Sequence, residues 1–164
     1  MEFIKPEVSA ADIFEGATPR SETPVGEYSN MRLQSLTAAL SKTGNIKLQA
    51  FLVHTEATGY KGITFEAPIT GTNKNGQSNG KNLAQFLYEM GVSKDDAANA
   101  EFAVDGNLSA EDWTAKPLVI KINNDIANIA GDEGLIAGKV VVTSVLRGGK
   151  SKNVADRVYR AKAA

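Results

Sequence analysis

Three successive extended segments, then a helix, then two more extended segments predict a mainly β protein. That order is the order of a five-stranded OB-type barrel with a helical insert between strands 3 and 4. Two further observations support it. Apolar residues alternate strictly from Ile46, and glycine-bearing turn signals separate the first three segments. The 164 residues, 42% of them hydrophobic, suit one domain with a real core.

The first segment runs from about Glu27 to Leu40, after Pro24-Val25-Gly26. Ser41-Lys42-Thr43-Gly44-Asn45 is a turn, with glycine where a positive φ is cheap. In the second segment Ile46, Leu48, Ala50 and Leu52 share one face, and Lys47, Gln49, Phe51 and Val53 share the other. The third covers about Ile63–Ile69, with Pro68 expected near its end because proline cannot donate to a ladder. Polar, glycine-rich residues 70–80 read as a flexible loop. A helix is predicted over about Lys81–Met90. Its apolar stripe is Leu83, Phe86, Leu87 and Met90, Ser78 or Asn79 caps its start, and Gly91 ends it. Ser93 begins a short second helix, and Ser109 with Asp112 marks a brief turn carrying Trp113. The fourth strand is Pro117–Asn123 and the fifth Lys139–Leu146, joined by a long connection over 124–138. The expected organisation is an acidic arm over 1–23, the barrel over 24–147 and a basic tail over 148–164.

Several chemistries are missing. There are no cysteines, so thiolate zinc sites, disulfides and cysteine nucleophiles are excluded. His54 is the only histidine and is expected to face solvent or stack on a base. The loop from Gly71 sits between a strand and a helix, as a phosphate-binding loop would, but Gln77 stands where the lysine belongs. Asp105-Gly106-Asn107 fails as a calcium loop, with Ala110 and Lys116 at two required positions. No apolar run spans a bilayer, and Met1–Pro6 does not resemble a signal peptide. A non-enzymatic cytoplasmic protein without cofactor or metal is expected.

Charge is segmented. Residues 1–30 carry a net −4, 31–81 a net +4, 82–115 a net −6 and 116–164 a net +5. Such blocks speak to partners. The first three strands and their loops carry Arg32, Lys42, Lys47, Lys61 and Lys74. The fourth carries Lys121, and the last strand and tail carry Arg147, Lys150, Lys152, Arg157 and Arg160. The strand 2–3 face of an OB barrel, with loops 1–2 and 4–5, is its oligonucleotide groove. Single strands are held there by cations and by aromatic rings on which bases stack. Phe51 is either such a platform or, on a strand that buries both faces, core. Tyr60 and Tyr159, each beside basic residues, are further stacking candidates, whereas Phe65, Phe86 and Trp113 are expected inside.

The chain resembles the small single-stranded DNA-binding proteins of bacteriophages. The residues that carry the resemblance are Pro24-Val25-Gly26-Glu27-Tyr28, Ser41 to Leu48, Gly59-Tyr60-Lys61-Gly62-Ile63, the Leu83–Gly91 helix and Lys152-Asn153-Val154 to Tyr159. It spans about residues 20–162. It implies an OB fold and a role in phage DNA replication or recombination, with replication or recombination proteins as further partners. The chain departs from many single-strand binders in ending on basic Arg160-Ala161-Lys162 in place of an acidic tail. From a different class, the alternative is a phage structural or assembly component, or a protein-binding barrel module.

Overall fold

The computed structural model describes residues 2–7, 9–10, 21–111 and 114–162. Ten elements follow in chain order: β1 (Gly26–Leu40), β2 (Ile46–His54), β3 (Ile63–Pro68), α1 (Gly80–Glu89), α2 (Lys94–Ala98), β4 (Glu101–Val104), β5 (Lys116–Ile122), β6 (Asp125–Ile126), β7 (Ile136–Arg147) and β8 (Lys150–Tyr159). The protein is mainly β, and five of its strands close into a ring ordered β1-β2-β3-β8-β7. Every contact in the ring is antiparallel except β3–β8, where Phe65 faces Ala155 in a parallel pair. A ring leaves none of these five strands as a long open edge.

β1 serves several neighbours because it is long and irregular. Its second half pairs with β2, its first half with β7, and a register shift between Leu33 and Ser35 bends it. Inside lie Met31, Leu33, Leu36 and Ala38, with Leu48, Ala50 and Leu52 from β2 and Val140, Val142, Ala155 and Val158 from the closing strands. The amphipathic stripe of α1 covers this core with Leu83, Phe86, Leu87 and Met90. Each such side chain contributes roughly 1.5–3 kcal/mol relative to exposure. The Phe86 ring stacks on Phe65 with centroids 5.4 Å apart. At the start of α2, the Ser93 hydroxyl accepts from the Asp96 amide, as expected of a cap.

The ring differs from the predicted one in its last two members. Residues 117–122 do form a strand, but β5 pairs mainly with β4 and β6, and its ladder with β1 is confined to Thr37 and Ala38. It belongs to an inserted ladder between α2 and β7. The ring is closed instead by β7 and by β8, which replaces the predicted basic tail over 148–164. Gly148 and Gly149 have φ of 58° and 78°, the two positive values that a tight two-residue hairpin turn demands. A register shift between Val141 and Val142 breaks the two-residue period along the hairpin. Only Ala155 and Val158 of β8 are buried apolar residues, so the strand lacks an obvious hydrophobic signature.

The predicted arm is also shorter at its inner end. Ser21 bridges to Tyr60, and Thr23 is fully buried. The rest of the arm is described only over 2–7 and 9–10, where Phe3 and Ile4 are exposed. The predicted turn at Asp112 and Trp113 lies outside the described residues.

Candidate nucleic-acid interface

Strand alternation builds the outer face of β2 and β3. With Leu48, Ala50 and Leu52 turned inward, Lys47, Gln49, Phe51 and Val53 point out. Opposite them, Pro68 faces Lys47, Glu66 faces Gln49 and Thr64 faces Phe51. Phe51 is half-buried on this face. Its ring edge lies over Gly62, where an added Cβ would stand 3.1 Å from the ring and where φ is +108°. Glycine there lets the edge of the aromatic ring come close to the backbone. Arg32, paired with Val53 on β1, is half-buried beside this face, and its Nε is buried without a hydrogen-bond partner.

Three loops converge at the Lys47 end of the face. The 41–45 turn is held by the Ser41 amide donating to the Asn45 carbonyl at 2.7 Å and by the Asn45 amide donating to Ser41 Oγ at 3.1 Å. Residues 70–79, the segment expected to be a flexible loop, are linked by their own polar groups. Asn73 Oδ1 accepts from the amides of Asn75 and Gln77. Asn79, buried, uses its side chain to donate to the Thr70 carbonyl at 2.9 Å, so Ser78 Oγ and not Asn79 accepts from the first amide of α1. The Ile46 amide donates to Thr70 Oγ1 at 2.8 Å, which joins the two loops. The third wall is Arg147, beside the β7–β8 turn.

Together these elements enclose a cleft of about 470 Å³. Its polar lining includes Thr43, Asn45 and Asn73, and its charged lining is Lys47, Lys74, Arg147 and Glu66. Lys47 Nζ donates to Glu66 Oε2 at 3.1 Å, and Arg147 Nη1 donates to the same oxygen at 3.3 Å. Burial alone would raise the Glu66 pKa. The hydrogen bond and charge of Lys47, then those of Arg147, outweigh it and hold the carboxyl below its ordinary range. Glu66 is therefore an anion at neutral pH. Lys42 is exposed in the turn beside Ser41 and Thr43, and Lys150 and Lys152 are exposed on the hairpin next to Arg147. Lys47, Lys74 and Arg147 thus gather at the cleft, with Lys42 in the adjoining turn, Lys150 across the hairpin from Arg147 and Phe51 further along the β2 face. Lys152 precedes Asn153, whose side chain donates to the Thr23 carbonyl near the opposite end of β2.

Other candidates sit elsewhere. Lys121 is on β5, across from Glu101, outside the ring. Arg157 and Tyr159 lie on β8 in the ring, where they form a separate cluster with β7. Lys139 Nζ and the Arg157 guanidinium flank the Tyr159 ring at 4.6 Å and 4.9 Å, and Lys139 pairs with Glu27 of β1 at 3.6 Å. β7 has no pairing with β2 or β3. The positive blocks of the sequence are therefore not one channel. Arg160 serves the end of α1. Its guanidinium donates to the carbonyls of Tyr88 at 2.6 Å and Val92 at 2.9 Å and lies 4.6 Å from the Tyr88 ring centre.

Tyr60 and its neighbour Lys61 are at the far end of β2 from the cleft. The Tyr60 ring packs against His54 and Tyr28 at 5.8 Å and 6.5 Å. Lys61 is exposed and its amide donates to Ser21. His54, expected to face solvent or to stack on a base, packs against the Tyr28 and Tyr60 rings. It is half-buried, its Nε2 is 2.9 Å from Thr23 Oγ1, and that hydroxyl also donates to the Gly62 carbonyl at 3.2 Å. Burial pushes the His54 pKa below the usual value, so it is neutral at neutral pH.

Sequence reading missed Glu66, Thr43, Asn45 and Asn73. Glu66 had a usable signal, because alternation along the third segment turns it outward with Thr64. Among the described residues no group of three His, Cys, Asp or Glu is placed to hold a metal ion, and no helix is long and apolar enough to cross a membrane. Neither protein-family models nor curated proteins give a match to this chain.

Proposed function

We propose that this protein binds single-stranded DNA with little sequence preference, without catalysis, across the outer face of β2 and β3. The ring order with its one parallel contact, and α1 placed after β3, support reading the five strands as an OB barrel in which β4–β6 are an insertion. In that architecture the ligand face is the one on which the cleft lies. The observation that carries the proposal is the convergence of Lys47, Lys74 and Arg147 from three separate segments on a cleft at one end of the strand face that also presents the half-buried, outward Phe51. Cations at the cleft would take phosphates, and the Phe51 ring would take a base. A place in phage replication or recombination rests on the resemblance alone.

Anisotropy of labelled oligo-dT, titrated at several salt concentrations, tests the proposal. Binding at micromolar or lower concentration is expected in low salt. If about five phosphates are neutralised, the log–log salt slope should be about −3.5. Absence of binding in low salt would overturn the proposal and leave a protein-binding or assembly role.

A further inference from the structure

We infer that Glu66 fills a phosphodiester subsite of this interface in the DNA-free protein, and that an arriving phosphate displaces it from Lys47 and Arg147. The inference rests on the single-strand-binding reading and adds to it the location and native occupant of one subsite. Among the described residues, Glu66 is the only carboxylate lining the cleft. One of its oxygens, Oε2, accepts from both cations, at 3.1 Å and 3.3 Å. The two cations come from separate elements, β2 and the end of β7, so the carboxylate ties the hairpin tip to the barrel face. A two-cation cradle for one oxygen suits a phosphate oxygen as well as it suits a carboxylate.

Position strengthens the assignment. Glu66 is two residues along β3 from Thr64, the cross-strand partner of Phe51. Two residues of strand are about 6–7 Å. One nucleotide could therefore set its base on the Phe51 ring and its phosphate between Lys47 and Arg147. The Glu66 charge would oppose that phosphate unless the carboxylate moves aside. It thereby weakens binding at this subsite while keeping both cations in place beforehand.

The test compares the unaltered protein with Glu66→Gln, which keeps shape and removes the charge. Oligo-dT should bind Glu66→Gln about tenfold more tightly in low salt. Amides of residues 143–152 should exchange faster in the free variant, because the hairpin tip is no longer tied down. Equal or weaker binding by a variant that melts as the unaltered protein does would overturn the inference, since Glu66 would then be a support for the DNA-bound arrangement. A second readout needs no substitution. In the unaltered protein, the Glu66 carboxyl carbon resonance should shift on saturation with oligo-dT towards that of a solvated carboxylate, and a resonance that stays put would overturn the inference. Failure of the unaltered protein to bind oligo-dT at all would remove the underlying reading as well.

Discussion

Replacing Arg160 by alanine should destabilise the protein by about 2–4 kcal/mol while leaving the oligo-dT affinity of the folded molecules unchanged. The last carbonyls of a helix have no partner within it, and they carry the negative end of its dipole. α1 has no basic residue in its last turn. Arg160, from just beyond β8, supplies the missing charge. It donates to two carbonyls at that end and covers the Tyr88 ring, and its own amide donates to Glu89 Oε2 at 2.8 Å. Hydrogen bonds from a charged group are worth about 1.5–3 kcal/mol each, reduced here because water can reach a half-buried site. For a chain of this size the loss corresponds to a fall in Tm of roughly 5–15 °C. Arg160→Lys should recover only part of it, since one ammonium cannot match the planar guanidinium at two carbonyls and a ring. A thermal melt checks the claim. An unchanged melt with weakened DNA binding would return Arg160 to the ligand contacts proposed from sequence.

Phe51→Ala should have the opposite profile. A base stacked on an aromatic ring is worth about 1–3 kcal/mol, so the affinity for oligo-dT should fall roughly fivefold to 150-fold. The salt slope should not change, because the ring contacts no phosphate. Stability should change little, because Phe51 is on the outer face, packed on Gly62, and the core beneath it is made by Leu48, Ala50 and Leu52. Phe51→Trp should retain binding. Anisotropy at two salt concentrations, with a melt alongside, separates these effects. Loss of folding on Phe51→Ala would instead show that the ring is part of the core.

The parts of this interface that depend on local pattern were legible in the sequence. Period-two alternation from Ile46 is enough to turn Lys47 and Phe51 outward, and the apolar stripe from Leu83 is enough to seat α1. Gly44 has the positive φ, 84°, expected of its turn. Pro68 ends β3 as its missing amide requires. What depends on long-range register was not legible. β8 carries few apolar residues and a bulge, so its sequence reads as a tail, although a Gly148-Gly149 pair directly after the β-branched run of β7 is a turn signal. Once Lys150–Tyr159 is a strand, Arg157 and Tyr159 are fixed on one side of the ring and Arg160 is delivered to a helix end. No count of charge per segment can predict that split. In the same way, the cleft exists because residues 41–45, 70–79 and 147 meet, and these are remote in sequence.

The single strand is proposed to lie on the outer face of β2 and β3, ending in the three-loop cleft. Titrating isotope-labelled protein with oligo-dT and following the backbone amides tests this placement most directly. Perturbations are predicted along Lys47–Val53, at Thr64 and Glu66, in the 41–45 turn and the loop around Lys74, and at Arg147 to Lys152. Shifts confined to the Lys139–Tyr159 cluster or to the β4–β6 insertion would contradict it.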